Sequence, residues 1–251
     1  GEPTLRPDAV PLVAAARRLG YQRIKLQTNA MRLAYPDFTR RLAAAGTTEI
    51  NVSIKGECAA THDALARTPG CFDLMTRGIA EARAAGLTVE GDVLVYRSNA
   101  PALPEIVRVF HALGVERFSL WLFTAMGSPD PALRAEVPRI ADVMPYILRA
   151  MDLGLSERPD FITSLHTPPC TVPSTHHRCL FYAPDLALLV TNPGGHRFML
   201  ETSPIEGGTY FDRCNECRFR PRCGGARADY VAQYGDAEFQ PIEIDIPGSR
   251  S

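Results

Sequence analysis

Between residues 8 and 150 the apolar positions switch repeatedly between a spacing of three to four and a spacing of two. Leu12, Val13, Ala16 and Leu19 form a helical stripe that closes at Gly20, and Ile24 and Leu26 then open a short strand ending in Gln27-Thr28-Asn29. Phe38, Leu42 and Ala45 predict the next helix, stopped by Gly46. Ile50, Val52 and Ile54 alternate as a strand. The cycle repeats with Phe72, Met75, Ile79 and Ala82 before Gly86, then Leu87, Val89, Val93 and Val95 running out into Arg97-Ser98-Asn99. Leu103, Ile106, Val107 and Phe110 give a helix ended by Gly114, and Phe118 to Phe123 an apolar strand. Ile140, Val143, Met144, Ile147, Leu148 and Met151 close the series as a helix.

Strand–helix units with glycine at each helix end predict an α/β fold with a parallel sheet and right-handed crossovers. Units of roughly 26 to 40 residues, each with one helix, suit a barrel or partial barrel, and a doubly wound sheet satisfies the same pattern. In both, ligands sit at the C-terminal ends of the strands. After about residue 155 the pattern changes. Pro159, Pro168, Pro169 and Pro173 interrupt any long helix, and Leu186–Val190 and Phe198–Leu200 flank Asn192-Pro193-Gly194-Gly195 as a predicted hairpin. The expected division is a core over 1–158 and a small module over 159–251.

The 251 residues suffice for one sizeable core. A net charge of −1 gives no electrostatic case for nucleic acid or a membrane surface as partner. No apolar run is long enough to span a bilayer, and no basic start leads into an apolar segment, so a cytoplasmic location is expected. The seven cysteines do change the picture. An odd number, clustered late without an export signal, fits metal or cluster ligation better than a disulfide framework.

Polar side chains fall where the strands end: Thr28 and Asn29, Ser53 and Lys55, Arg97 and Asn99, with Glu2 in the opening loop. One polar ligand would draw such groups to one rim, although caps and turns also favour them. Cys214, Cys217 and Cys223 form C-x2-C-x5-C followed by Gly224-Gly225. Four thiolates complete a tetrahedral zinc or a cubane iron–sulfur site. Cys170, after Pro168-Pro169, is the first candidate for the fourth ligand and Cys179 the second. Arg213, Arg218, Arg220 and Arg222 are expected to favour thiolates. Cys58 and Cys71 are read as structural, His62-Asp63 as loop structure, and His166, His176 and His177 as surface or hydrogen-bonding groups.

Gly1-Glu2-Pro3, Thr28-Asn29 and the stretch NVSIKGECAATHDALARTPGCFDLMTRGI at 51–79 resemble the radical S-adenosylmethionine superfamily, in one register over residues 1–125. The resemblance implies a partial (βα)6 TIM-like barrel lacking its first strands, with a small C-terminal iron–sulfur module. In that superfamily a GGEP-type loop ends the second strand and holds the methionyl amine of S-adenosylmethionine, a role that falls to Gly1, Glu2 and Pro3. Ser53 and Lys55 would meet the ribose and carboxylate, and Arg97 and Asn99 the carboxylate and adenine side, with Thr28 and Asn29 on the same rim. The run CNECRFRPRCGGARADYVAQYGDAEFQPI resembles SPASM and Twitch modules, which carry C-x2-C-x5-C-x3-C. Arg227 stands at the last of those positions, so one auxiliary [4Fe–4S] cluster on Cys170, Cys214, Cys217 and Cys223 is expected instead of two.

The superfamily's C-x3-C-x2-C loop is absent from these residues, and Cys58 and Cys71 have the wrong spacing to replace it. The expectation is a piece of a longer protein whose preceding segment carries that loop, a piece that does not itself cleave the cofactor. The intact protein would form a 5′-deoxyadenosyl radical that abstracts hydrogen from a peptide or cofactor precursor, with electrons from a donor such as flavodoxin or ferredoxin. The alternative is a non-redox α/β binding module with a structural zinc knuckle.

Overall fold

The computed structural model describes residues 1–125, 127–155, 160–192, 194–202 and 208–243. Five strands, β1 (Lys25–Thr28), β2 (Glu49–Ile54), β3 (Thr88–Val95), β4 (Phe118–Leu122) and β5 (Ile162–Leu165), form one sheet in sequential order, every pair parallel. Sequential parallel strands need a crossover between each pair. These are built on α1 (Ala9–Arg18), α2 (Pro36–Ala45), α3 (Ala59–Ala66), α4 (Cys71–Ala84), α5 (Leu103–Ala112), the short α6 (Pro131–Ala135) and α7 (Ile140–Leu155). The architecture is an α/β partial barrel.

The two faces of the sheet have opposite chemistry. Ile50, Val52, Ile54, Val89, Val93, Val95, Phe118 and Leu120 are almost fully buried and join one apolar cluster with Leu42, Met75, Ile79, Ile106, Phe110 and Ile147 of the helices. Each such side chain contributes about 1.5–3 kcal/mol through burial. The alternate positions share the other face: Lys25 and Gln27, Glu49, Asn51 and Ser53, Glu90 and Asp92, Ser119, and Thr163. Towards the strand starts this face carries an ion network. Glu49 accepts from Arg23 at 2.6 Å, and Glu90 pairs with Lys25 and Arg117.

Two helix contacts position the loops at the strand ends. Gly78, inside α4, lies against the backbone of Ala30, where a Cβ would overlap the carbonyl oxygen. The bare helix surface therefore seats the loop after β1, in which Ala30 adopts φ 59°. Asp63 of α3 receives the amides of Gly70 at 2.6 Å and Phe72 at 2.8 Å, satisfying free donors at the start of α4. His62-Asp63 is thus helical, and not loop as expected, with Asp63 capping the next helix.

The fifth strand is the main departure from the sequence pattern. Ile162–Leu165, assigned to the module, pairs with β4 in the core sheet. The boundary at 158/159, like Pro159, lies outside the described residues. Beyond β5 come short 3-10 turns and the antiparallel hairpin β6 (Leu189–Thr191) and β7 (Arg197–Met199), whose expected turn residue Pro193 also lies outside them. α8 (Ala228–Tyr234) returns to the core: Tyr230 Oη accepts the Ile140 amide at 2.9 Å, and Tyr234 Oη donates to Val137 O at 2.7 Å. Among the described residues no helix is long and apolar enough to cross a membrane.

Candidate functional site

The parallel sheet sets the C-terminal ends of β1, β2 and β3 side by side, and the polar residues after them lie along that rim. Glu2 is its most constrained member. One carboxylate oxygen accepts from Thr4 N at 2.9 Å and from the hydroxyls of Thr4 and Thr28, each at 2.6 Å; the other accepts Asn29 N at 2.8 Å. Burial raises the Glu2 pKa, but these hydrogen bonds outweigh it and hold the carboxyl below its ordinary value. The result is a fixed anion beside exposed Gly1, with Oε2 still able to accept from a cation.

Thr28 is buried by this contact and also accepts the Ala30 amide at 3.1 Å, while Asn29 is exposed and receives Met31 N at 3.0 Å. Pro3 opens the short 3-10 turn that carries Thr4 back to Glu2. On β2, Ser53 is half-buried and its hydroxyl makes no hydrogen bond among the described residues, so it is free for a ligand. Lys55 sits in the packing between β2, α3 and α4. Burial lowers its pKa, with Cys71 the opposing influence, and its amide donates to His62 Nδ1. His62, buried beside Lys55, is lowered to about 4.

The β3 end separates two residues that the sequence treats alike. Asn99 is buried and fully committed: its amide nitrogen donates to Lys55 O and Leu94 O, both at 2.8 Å, and its oxygen accepts Tyr96 N at 2.8 Å. It fastens the end of β3 to the end of β2 and shapes the rim without a spare hydrogen bond. Arg97 is exposed, with its backbone amide bonded to Glu136 O.

Sequence reasoning passed over the polar row that continues from Ser53 across the sheet. Ser53, Asp92, Ser119 and Thr163 are register partners across β2, β3, β4 and β5. Asp92 Oδ2 accepts from Gln27 at 2.8 Å and Asn51 at 2.7 Å. Burial raises its pKa, and the Asn51 and Trp121 side chains oppose the shift. The signal was two acids, Glu90 and Asp92, alternating through an otherwise apolar strand.

The second site lies in the module. Cys170, Cys214, Cys217 and Cys223 line one cavity walled by Phe211, Phe219 and Phe239. Cys179 is buried elsewhere and shares no part of it. The Gly225 amide donates to Cys223 Sγ at 3.3 Å and the Ile242 amide to Cys217 Sγ at 3.5 Å, bonds that stabilise thiolate sulfur. Gly225, at φ +78°, permits the tight return, since a Cβ there would lie 2.9 Å from Thr209 O. Among the described residues no three His, Cys, Asp or Glu side chains are gathered tightly enough to hold one metal ion.

At Cys223 burial raises the thiol and outweighs the Gly225 amide and the Arg220 charge, which acts in the expected direction. Burial, followed by the neighbouring cysteines, pushes the Cys170 thiol up to about 12. Arg213 is taken up by Asp236 and Phe239 O, and Arg222 by Asp185. His176 and His177 are hydrogen-bonding groups, as expected: His177 approaches Pro169 O at 3.1 Å and His176 meets Asp152 at 2.8 Å, while His166 is lowered to about 4, by burial and then Arg227.

The family model described as the radical SAM superfamily matches residues 1–98. The AdoMet-dependent heme synthase of Nitratidesulfovibrio vulgaris is 31% identical over 127 residues, 51% of this chain and 34% of that protein. The mycofactocin maturase MftC of Mycobacterium tuberculosis is 35% identical over 117 residues, 45% and 29% respectively. A probable GTP 3′,8-cyclase of Saccharolobus solfataricus is 32% identical over 123 residues, 48% and 38%. The chain thus spans about a third of the length of the curated relatives it matches. Among solved structures, Streptococcus suis SuiB aligns with a TM-score of 0.51 at 16% identity, over 63% of this chain and 36% of that one, a likeness of fold.

Proposed function

We propose, from the premise that this chain belongs to the radical S-adenosylmethionine superfamily, that it forms the cofactor-binding and substrate-facing part of an enzyme that begins its reaction by radical hydrogen abstraction. S-adenosylmethionine and a reduced [4Fe–4S] cluster, when bound, supply the 5′-deoxyadenosyl radical for that abstraction. The C-x3-C-x2-C loop for that cluster is not among these residues, so the activity is assigned to the whole protein. The name of one relative, a heme synthase, supports a cofactor precursor as substrate, and a peptide is the second proposed class. Flavodoxin or ferredoxin is the proposed electron donor.

The observation that carries this reading is the Glu2 carboxylate, fixed by Thr4, Thr28 and Asn29 at the strand end. A preset anion with acceptor capacity left over fits the methionyl ammonium and needs no rearrangement to receive it. Ser53 offers its hydroxyl on the neighbouring strand β2, and Asn99 holds the β2 and β3 ends at fixed separation. Losing one charge-assisted hydrogen bond costs about 1.5–3 kcal/mol, so Glu2→Gln should weaken S-adenosylmethionine binding roughly 10- to 150-fold. The test is calorimetric binding to the anaerobically purified whole protein, alongside reductant-dependent release of 5′-deoxyadenosine. Binding by Glu2→Gln with wild-type affinity would remove the central support.

For the cysteine cavity the donor set fits an auxiliary [4Fe–4S] cluster on Cys170, Cys214, Cys217 and Cys223. Four thiols, amide donors to two sulfurs and an aromatic wall suit a group that needs thiolates and a dry surround. A zinc knuckle would hold all four sulfurs about 2.3 Å from one ion. The likeness of the run from Cys214 to Ile242 to auxiliary-cluster modules favours the cluster.

A further inference from the structure

Between the end of β5 and the cysteine cavity lies a cleft lined by His166, Tyr182, Tyr210, Arg220, Cys223 and Arg227, among others. It opens at the C-terminal end of the sheet, where parallel α/β folds place their ligands. Cys223 also lines the cavity behind it, so a molecule in the cleft would lie next to whatever the four thiols hold.

Arg227 is the feature that the fold leaves unexplained. Its side chain is only 16% exposed, yet its guanidinium makes no hydrogen bond among the described residues, and buried Nε has only a loose ion pair. The nearest carboxylate, Asp229 Oδ1, stands 3.6 Å away, and Asp229 already accepts from the Thr124 hydroxyl and the Tyr230 amide. A largely buried guanidinium with unfilled donors is costly unless an anion completes it. Arg220 adds a second cation, held with its guanidinium carbon 3.5 Å from the Tyr210 ring centroid, while Tyr210 Oη donates to Cys223 O at 2.6 Å. Among the described lining residues Glu201 is exposed, and half-buried His166, lowered to about 4 by burial and then Arg227, is neutral near pH 7.

We propose that this cleft binds a carboxylate of the substrate, with Arg227 and Arg220 as its cationic partners. Each guanidinium offers paired N–H donors matching the two oxygens of a carboxylate. The inference rests on the reading that the four cysteines hold an auxiliary cluster, which would set the substrate carboxylate beside that cluster. The competing role is charge compensation, in which the arginines merely neutralise the cluster.

Trp121 provides the readout. It is the single tryptophan, and its ring centroid is 5.1 Å from that of His166 on the cleft wall. The iron-loaded chain is titrated with N-acetylglycine and, separately, with its neutral amide, following Trp121 fluorescence and iron content. The expected result is a saturable response to the carboxylate and none to the amide, weakened at least tenfold in Arg227→Gln and in Arg220→Gln with iron unchanged. Arg227→Lys should recover only part of the affinity, because it restores charge without the fork. If Arg227→Gln does not fold, Arg220→Gln decides alone. Equal responses to acid and amide, or full affinity in the glutamine variants, would overturn the proposal, as would iron loss in those variants with no carboxylate response in the parent. Carboxylate-selective binding by a chain loaded with zinc would support the cleft and remove only the cluster reading.

Discussion

Gly78→Ala adds one methyl group at a place where the fold has no room for it. The new Cβ would overlap Ala30 O and stand 3.1 Å from both Ala30 C and Leu33 Cβ. Two of these obstacles are backbone, in a close-packed interior that yields little. Overpacking of this kind costs about 1–3 kcal/mol, and the clash with main chain places Gly78 towards the upper end. The better helix propensity of alanine returns up to about 1 kcal/mol. The net expectation is a loss of about 1–2 kcal/mol, or roughly 2–8 °C in Tm for a chain of this size. The displaced loop carries Asn29 and adjoins Thr28, which together hold Glu2, so the disturbance also reaches the rim. Thermal unfolding by circular dichroism gives the first quantity, and hydrogen exchange at the Asn29 amide, bonded to Glu2 in the wild type, gives the second. A Tm at or above wild type with unchanged Asn29 protection would refute the steric argument, since propensity alone predicts that sign.

Two further outcomes follow from the rim. Glu2 has its folded pKa below the ordinary 4.5, so its stabilisation is complete above that value and is lost as pH falls through the lower folded pKa. Urea midpoints from pH 7 down to pH 3 should therefore converge for wild type and Glu2→Gln only at the acid end; a constant difference would show that ionisation is not involved. Asn99→Ala leaves Tyr96 N, Lys55 O and Leu94 O without their side-chain partner and should cost about 3 kcal/mol in urea unfolding. Arg97→Ala, at an exposed position, should stay within about 0.5 kcal/mol, and similar losses for both would erase the distinction drawn between them.

Much of this fold was legible because the apolar period changed cleanly at each element. Ile50, Val52 and Ile54 alternate, Met75, Ile79 and Ala82 follow a helical stripe, and both sets are buried in the same core. β5 escaped because Ile162-Thr163-Ser164-Leu165 has four residues and two hydroxyls, one of which, Ser164, is buried and bonded to Thr167. Its place is fixed by pairing with β4, which no local pattern encodes. The strand-end residues were visible as a set, but their separate duties depend on contacts distant in sequence. Asn99 is spent on Lys55, while Ser53 keeps a free hydroxyl. The weight of the arginines was hidden for the same reason: Arg213 and Arg222 are paired with Asp236 and Asp185, and at Cys223 burial outweighs Arg220. Arg227 was noticed only as a missing cysteine; its burial without hydrogen bonds needed the fold.

The most direct test of the account is metal analysis of the anaerobically reconstituted chain, with its visible spectrum, in wild type, Cys217→Ser and Cys58→Ser. Cys217 lines the cavity with the other three thiols, whereas Cys58 is exposed and remote from it. The expected result is about four irons per chain with brown colour and absorption in the blue, as a [4Fe–4S] centre requires, lost in Cys217→Ser and retained in Cys58→Ser. A colourless protein holding one zinc per chain, or iron that survives the Cys217 substitution, would contradict it.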